Sequence, residues 1–158
     1  MFPDFKELLC IFHVHAVKYL VVGGHAVSLH AQPRATKDID LLIKPDADNA
    51  VAIYAALARF GAPLEGVTAE DFRDRKKFFR MGREPMVVDM LPEIEGIDFD
   101  DAWEHRVSAV IDDATGQTAF FISSEDLVTA KLASGRPQDL ADAAAIRAAA
   151  ARRLRGSE

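Results

Sequence analysis

The residues with the clearest chemical potential are two aspartates one residue apart, Asp38 and Asp40. The apolar run from Ile39 to Ile43 stops at Pro45 and predicts a β-strand. On a strand, residues two apart point to the same face, roughly 6.5 Å apart along the chain. Two carboxylates so placed repel each other, and a divalent cation removes that repulsion. The pair therefore indicates a metal site, although an isolated Asp-x-Asp more often marks a solvated strand end.

A glycine pair, Gly23-Gly24, precedes Asp38 with thirteen residues between. It separates a β-forming run at 18–22 from a predicted helix at 25–30. Glycines at such a point let the backbone come close to a ligand, and the amide groups of a helix start bind phosphate oxygens. A plain tight turn explains the glycines alone. Together with the aspartates, they favour a site for a phosphate and a metal.

A third carboxylate, Asp89, lies within the apolar segment Met86–Leu91. This segment predicts a mostly buried strand, where a lone carboxylate is costly unless it meets a cation or several hydrogen-bond donors. The alternative is an aspartate at a strand end near Pro92. Asp89 is therefore a candidate third member of the same site.

The order of strand, Gly-Gly and Asp-hydrophobic-Asp-hydrophobic resembles the signature of the DNA polymerase β-like nucleotidyltransferase superfamily. Here it reads Val22-Gly23-Gly24 and Asp38-Ile39-Asp40-Leu41. Over about residues 18–150, and especially 123–146, the chain is similar to the small bacterial branch that contains the AbiEii-type toxins of type IV toxin–antitoxin systems. Gly24 stands where many members carry serine, so a hydroxyl contact to phosphate is lost while the backbone contacts remain.

The resemblance implies an enzyme that moves a nucleoside monophosphate from an NTP to an acceptor hydroxyl. It implies that Asp38, Asp40 and Asp89 are catalytic and bind two Mg²⁺ ions, for which Mn²⁺ is an alternative. Two such ions, about 3.5–4 Å apart, support in-line displacement at phosphorus. Asp38 and Asp40 would bind the ion on the triphosphate. Asp89 would complete the second site and help to deprotonate the acceptor hydroxyl.

Positive charge must balance the triphosphate, and the resemblance places Lys131 at the nucleotide. Arg34 and Lys37, just before the aspartates, are further candidates for nucleotide binding beside Gly23 and Gly24. A solvated surface charge is the alternative for each of the three cations. His25 either lines the site or packs at a helix start.

Two aspartates of the last predicted helix, Asp139 and Asp142, are three residues apart. We interpret them as a solvated acidic first turn, with support of Lys131 or Arg136 as the alternative. The arginines near the end of that helix form the only cluster that we expect to offer local phosphate contacts, and a solvated helix end is the alternative. These arginines are Arg147, Arg152, Arg153 and Arg155.

The elements that must position these residues predict an α+β fold, with a single mixed β-sheet flanked by helices and C-terminal helices after it. No linker-like segment divides the chain, so we predict a single domain over 1–158 with a C-terminal helical segment at about 123–154. A tight turn containing Gly82 is expected to join two strands. The predicted helices cover 3–16, 25–30, 46–60, a segment from 123 and 137–154, and the predicted strands 18–22, 39–43, 77–81, 86–90, 107–111 and 118–122.

Composition narrows the class of protein. The chain of 158 residues has a hydrophobic fraction of 49% and a net charge of −6, as in a folded domain that is not basic overall. Cys10 has no partner for an intrachain disulfide. No apolar stretch resembles a signal peptide or a membrane span. We therefore expect a cytoplasmic protein without a membrane partner.

The expected partners are an NTP, an acceptor that is either tRNA or a small molecule, and a cognate antitoxin protein. Two other functions stay open: an antibiotic-modifying nucleotidyltransferase and a non-catalytic nucleotide-binding relative. Retention of all three carboxylates favours an enzyme, because an idle site has no reason to keep buried like charges.

Overall fold

The structure is a computed structural model that describes residues 1–156. Within them, helices are interspersed with strands that all belong to a single sheet. The helices are α1 Pro3–Val14, α2 Gly23–His30, α3 Ala47–Phe60, α4 Phe99–Glu104, α5 Ser124–Ser134 and α6 Pro137–Gly156, with a 3₁₀ helix at Ala69–Arg73. The strands are β1 Tyr19–Val22, β2 Ile39–Ile43, β3 Phe79–Arg83, β4 Met86–Leu91, β5 Val107–Asp112 and β6 Gln117–Phe121.

The six strands form one sheet in the order β3-β4-β2-β1-β6-β5. The pairs β1–β2, β3–β4 and β5–β6 are antiparallel, whereas β2–β4 and β1–β6 are parallel. Mixed sheets of this kind occur in α+β folds. The predicted fold class, a single mixed sheet flanked by helices, is therefore confirmed.

The core lies around the central strands β1 and β2. All four residues of β1 are buried, as are four of the five residues of β2, and Asp40 is the exception. Helix α1 buries its apolar face, which consists of Phe5, Leu8, Leu9 and Phe12. A fully buried side chain of this size stabilises the fold by about 1.5–3 kcal/mol. Asp40 therefore lies on a strand whose other four side chains are packed in the core, so moving the strand would expose apolar surface.

Several helix ends are fixed by capping residues. The Asp46 side chain accepts a hydrogen bond from the Asn49 amide, and Gly61 ends α3 in the left-handed conformation. Ser123 caps α5 by accepting from the Asp126 amide at 3.1 Å. The Asp126 carboxylate does not return to Ser123, because it lies 3.1 Å from His105 Nδ1. Only one half of a capping box, the bond from the Asp126 amide to Ser123, is therefore formed.

Two local predictions were wrong in detail. The turn of the β3–β4 hairpin consists of Glu84 and Pro85, whereas Gly82 lies inside β3 opposite Val87. Helix α2 begins at Gly23 itself, so the glycine pair forms its first turn. The short helix α4 was not predicted, because its six residues are too few to show a helical period.

No helix within residues 1–156 combines the length and the apolar character that crossing a bilayer requires.

Candidate active site

A row of paired residues runs across three adjacent strands at one end of the sheet. Asp40 on β2 is directly opposite Asp89 on β4, and Asp89 is directly opposite Arg80 on β3. On the other side, Asp40 pairs with Val22, the last residue of β1 before Gly23. Residues opposite each other in a sheet project to the same face. The predicted carboxylates Asp40 and Asp89 are therefore brought together, with an arginine beside them.

Gly23 lies directly against the carboxylate of Asp40. It has a φ of +65°, and a Cβ at this position would collide with Asp40 Oδ2. Both facts restrict the position to glycine, because only glycine adopts this backbone freely and leaves this space. A Cβ on Gly24 would lie 2.8 Å from Thr36 Oγ1. The glycine pair thus places the start of α2 beside the aspartates.

The electrostatic surroundings of Asp40 disfavour its ionised form. Burial, together with the negative charges of Asp89 and Asp38, raises the pKa of this carboxyl to about 6. Lys131 and Arg80 act in the opposite direction. A carboxylate that is desolvated next to two like charges is stabilised by a cation. A bound cation would therefore stabilise the ionised form of Asp40.

Asp38 immediately precedes β2 and presents one unpartnered oxygen. Its Oδ1 is buried and accepts no hydrogen bond within residues 1–156. Its Oδ2 lies 3.5 Å from Nη2 of Arg80. A buried carboxylate oxygen without a donor is costly unless a cation binds it. This unpartnered oxygen is the strongest structural sign of a cation-binding position.

The structure adds Arg80, which the sequence reasoning did not single out. Its Nε and Nη2 donate to the two oxygens of Asp89, at 2.7 and 3.1 Å. The signal was the hairpin register, since a turn at Glu84–Pro85 sets Arg80 opposite Asp89. The predicted turn at Gly82 concealed this pairing.

The donor set suits one hard divalent cation. Mg²⁺ binds oxygen ligands and usually takes one or two carboxylates, with water and substrate phosphates completing its shell. Asp38 and Asp40 supply such carboxylates. Within residues 1–156, no group of three or more histidine, cysteine, aspartate or glutamate side chains is arranged to hold a metal ion. The two-ion site over Asp38, Asp40 and Asp89 therefore stays a prediction.

Lys131 is held by two buried carboxylates on α6. Its Nζ lies 3.3 Å from Asp139 Oδ1 and 3.1 Å from Asp142 Oδ2, and the two acidic side chains are only 4% and 6% exposed. The interpretation of Asp139 and Asp142 as a solvated turn was therefore wrong. The reason is that α6 packs its first turns against α5 and against Arg34, which pairs with Asp142 at 2.8 Å.

Two clefts meet at Asp40. A cleft of about 340 Å³ is lined by Gly23 and Lys131, by apolar residues that include Leu127, and by the charged residues Glu93, Glu95, Arg136 and Asp139. A more open cleft of about 710 Å³ is lined by Gly24, Arg34, Thr36, Lys37 and Asp38. Asp40 lines both of them. The five residues that were predicted to bind nucleotide are thus divided between two spaces that share one carboxylate.

Of the other candidates, His25 and Arg153 contact parts of the fold, whereas Lys37 is exposed. His25 packs edge-to-face on Phe5, with ring centroids 6.2 Å apart, and burial lowers its pKa. Arg153 donates to the His30 carbonyl oxygen at 2.7 Å and so fastens α6 to α2. Lys37 is exposed at the rim of the open cleft. His25 and Arg153 therefore support the fold, while Lys37 is free to meet a ligand.

A mixed sheet that carries acidic side chains on adjacent strands, beside a glycine-started helix, has the architecture of a nucleotidyltransferase fold. A family model described as "Nucleotidyltransferase of unknown function (DUF6036)" matches residues 4–149. Because the match spans most of the sequence, the chain belongs to this family. The assignment supports the nucleotidyltransferase superfamily, while the narrower likeness to AbiEii-type toxins stays a prediction. No curated protein matches the chain significantly.

Proposed function

We propose that the protein is a Mg²⁺-dependent nucleotidyltransferase that moves a nucleoside monophosphate from an NTP to an acceptor hydroxyl. One observation carries the proposal: Asp40, facing Asp89 across the sheet, lies against Gly23 at the start of α2. A carboxylate whose ionised form a cation would stabilise therefore lies beside glycine backbone that a phosphate can approach closely. The family assignment over residues 4–149 agrees with this chemistry.

The metal would be held by Asp38 and Asp40, through the unpartnered Oδ1 of Asp38 and the buried carboxylate of Asp40. When bound, it supplies Lewis-acid polarisation of the phosphate and neutralises charge that develops during transfer. Mn²⁺ has the same preference for oxygen ligands and is the natural substitute.

The start of α2 gives the triphosphate its neutral contacts. The first amide groups of a helix lack partners within the helix and point at a ligand, and the helix dipole favours negative charge there. In this chain those groups belong to Gly23 and Gly24, whose missing side chains leave room for close approach. Lys131, beside the same carboxylate, adds a positive charge. Each of these groups stabilises a phosphate oxygen.

The acceptor would enter from the open cleft. Arg34 and Lys37 line this space beside Asp38 and Asp40, so they can contact the triphosphate or an anionic acceptor. In the other cleft, Leu127 and its apolar neighbours suit the nucleobase. The two substrates would thus approach Asp40 from different sides. A tRNA end and a small hydroxyl compound are the two acceptor classes that the proposal includes.

Labelled NTP transfer tests the proposal directly. NTPs labelled at the α-phosphate are incubated with the protein, Mg²⁺ and, in separate reactions, total tRNA, cell extract or small acceptors. We expect label to move onto one acceptor with wild type and not with Asp40→Asn. Asp48→Asn is the control, because Asp48 is an exposed carboxylate on α3. Transfer by Asp40→Asn at the wild-type rate would refute the assignment.

A narrower proposal is that the enzyme is the toxin of a toxin–antitoxin pair. Its support is the resemblance of residues 123–146 to the AbiEii-type branch. Expression of the wild type alone in a bacterial host should arrest growth, and the Asp38→Asn form should not. Normal growth with both soluble forms would reject the toxin role. The transfer chemistry would be unaffected by that result.

A further inference from the structure

Arg80 connects two of the three carboxylates of the site. Its Nε lies 2.7 Å from Asp89 Oδ1 and its Nη2 lies 3.1 Å from Asp89 Oδ2, a bidentate contact. The same Nη2 is 3.5 Å from Asp38 Oδ2. A guanidinium is a planar fork that matches a carboxylate in two hydrogen bonds and keeps its charge at any physiological pH. One fixed positive charge therefore lies between Asp38 and Asp89.

The register of the sheet fixes this arrangement. Arg80 on β3 pairs with Asp89 on β4, and Asp89 pairs with Asp40 on β2, so the three side chains share one face. Asp89 is mostly buried, with 14% of its side chain exposed. A buried carboxylate that already accepts two hydrogen bonds loses both if its arginine leaves. The Arg80–Asp89 ion pair is therefore a structural component of the site, set by the strand register.

We propose that the guanidinium of Arg80 takes the place of the second divalent ion, so that the site binds a single Mg²⁺ on Asp38 and Asp40. Three carboxylates and one guanidinium leave a formal charge of −2, which one divalent cation neutralises. A second divalent ion at Asp89 would face the positive charge of Arg80 at close range. The arrangement of residues 1–156, in which no three acidic side chains converge on one metal position, agrees with this.

In this arrangement Asp89 holds Arg80 in position, and Asp38 and Asp40 keep their free oxygens for the metal. The inference rests on the proposed metal-dependent function, because it assigns the cations of that same site. It changes one implied role: Asp89 serves a positioning arginine in place of a second ion. Arg80 then presents a fixed positive charge beside the transferred phosphate, as a metal would.

The number of bound ions tests the inference without measuring turnover. Equilibrium dialysis against Mn²⁺ and a non-hydrolysable α,β-methylene ATP, read by the Mn²⁺ electron paramagnetic resonance signal, counts the ions retained per chain. Wild type should retain about one ion, and Arg80→Ala about two, because the vacated carboxylate joins the usual two-metal arrangement. Arg83→Ala is the matched control: an exposed arginine on β3 whose position projects to the opposite face. It should retain about one ion, as wild type does.

The outcomes separate this inference from the function on which it rests. About two ions on wild type would overturn the inference and leave the metal-dependent function in place. One ion on both wild type and Arg80→Ala would also overturn it, since Arg80 would then block nothing. Neither ion nor nucleotide on wild type would overturn the function and the inference together. Circular dichroism verifies the fold of Arg80→Ala, with Arg80→Gln as a second variant, and a wild-type count of about two overturns the inference even if both variants unfold.

Discussion

Asp40 and Asp89 occupy one register position of the parallel strands β2 and β4, so two carboxylates project side by side from the same face of the sheet. Sheet pairing normally avoids like charges directly opposite each other. Here burial and this neighbour together raise the pKa of Asp40 to about 6. The fold therefore holds two mutually repelling carboxylates side by side, and a bound cation would reduce that repulsion.

The first prediction concerns pH and the stability of the metal-free protein. The folded-state pKa of Asp40, about 6, lies above its ordinary value of 3.8. Between these values the folded chain keeps a proton that the unfolded chain has lost, so the contribution of Asp40 to stability falls as pH rises. Urea unfolding from pH 4 to pH 7 should show this decline in wild type. The decline should be smaller in Asp40→Asn, and equal slopes for the two proteins would contradict the raised pKa.

The second prediction follows from the same carboxyl group and concerns metal affinity. A cation binds the ionised form of Asp40, so binding must release the proton that this group holds below about pH 6. Mg²⁺ affinity in the presence of an NTP analogue should therefore rise with pH up to about 6 and then level off. Calorimetric titrations at several pH values, in buffers of different ionisation enthalpy, measure both affinity and proton release. A pH-independent affinity without proton release would argue against Asp40 as a ligand.

The third prediction is that Asp38→Asn abolishes catalysis with little change in shape. The substitution removes the negative charge of the carboxylate whose Oδ1 has no hydrogen-bond partner. If the metal stabilises the transition state by several kcal/mol, the transfer rate should fall by roughly a thousandfold. Single-turnover transfer and calorimetric Mg²⁺–ATP binding provide the measurements. Equal binding and equal transfer by the variant would remove Asp38 from the site.

The fourth prediction separates two reasons for glycine at position 23. Gly23→Ala forces alanine into a positive φ and also pushes a Cβ into Asp40. Gly66→Ala is the control, because Gly66 has a φ of +75° with open space around it. Positive φ alone costs about 1–3 kcal/mol. Gly23→Ala should lose more stability than Gly66→Ala in thermal unfolding, and it alone should weaken nucleotide binding.

The fifth prediction concerns Lys131 and its ion pairs. Lys131→Met should raise the KM for NTP by about ten-fold or more, as the loss of a charge-assisted hydrogen bond would. It should also destabilise the fold by about 1–3 kcal/mol, because Asp139 and Asp142 lose a shared cation in a buried setting. Arg73→Met is the control: Arg73 is an exposed arginine that pairs with Glu70 at 3.4 Å and lines neither of the clefts at Asp40. An unchanged KM for Lys131→Met would leave the lysine a structural role only.

The sequence predicted the elements of the site well, because their signals are local. Short apolar runs mark the strands that carry Asp40 and Asp89, and the capping residues Asp46 and Ser123 mark helix starts. The fold class followed from their order. The roles assigned to the site residues remain predictions, which the experiments above test.

Features that depend on tertiary structure could not be predicted from local sequence patterns. Arg80 was missed because its place beside Asp89 depends on a hairpin register that shifts with the position of the turn. The burial of Asp142 was missed because it arises from docking of α6 against Arg34, a residue far away in the chain. Charge on a helix surface is ambiguous until its neighbours are known.

The ion pairs around the site differ in how far apart in sequence their partners lie. Arg80 and Asp89 are nine residues apart within one hairpin, whereas Arg34 and Asp142 are 108 residues apart. Local opening of a protein proceeds in cooperative units that often match such supersecondary motifs. Undocking of α6 would therefore release Arg34 and Lys131 while Arg80 and Asp89 remained paired. Hydrogen exchange in α6 should accordingly be faster than in the β3–β4 hairpin, because α6 can undock while the Arg80–Asp89 ion pair stays formed.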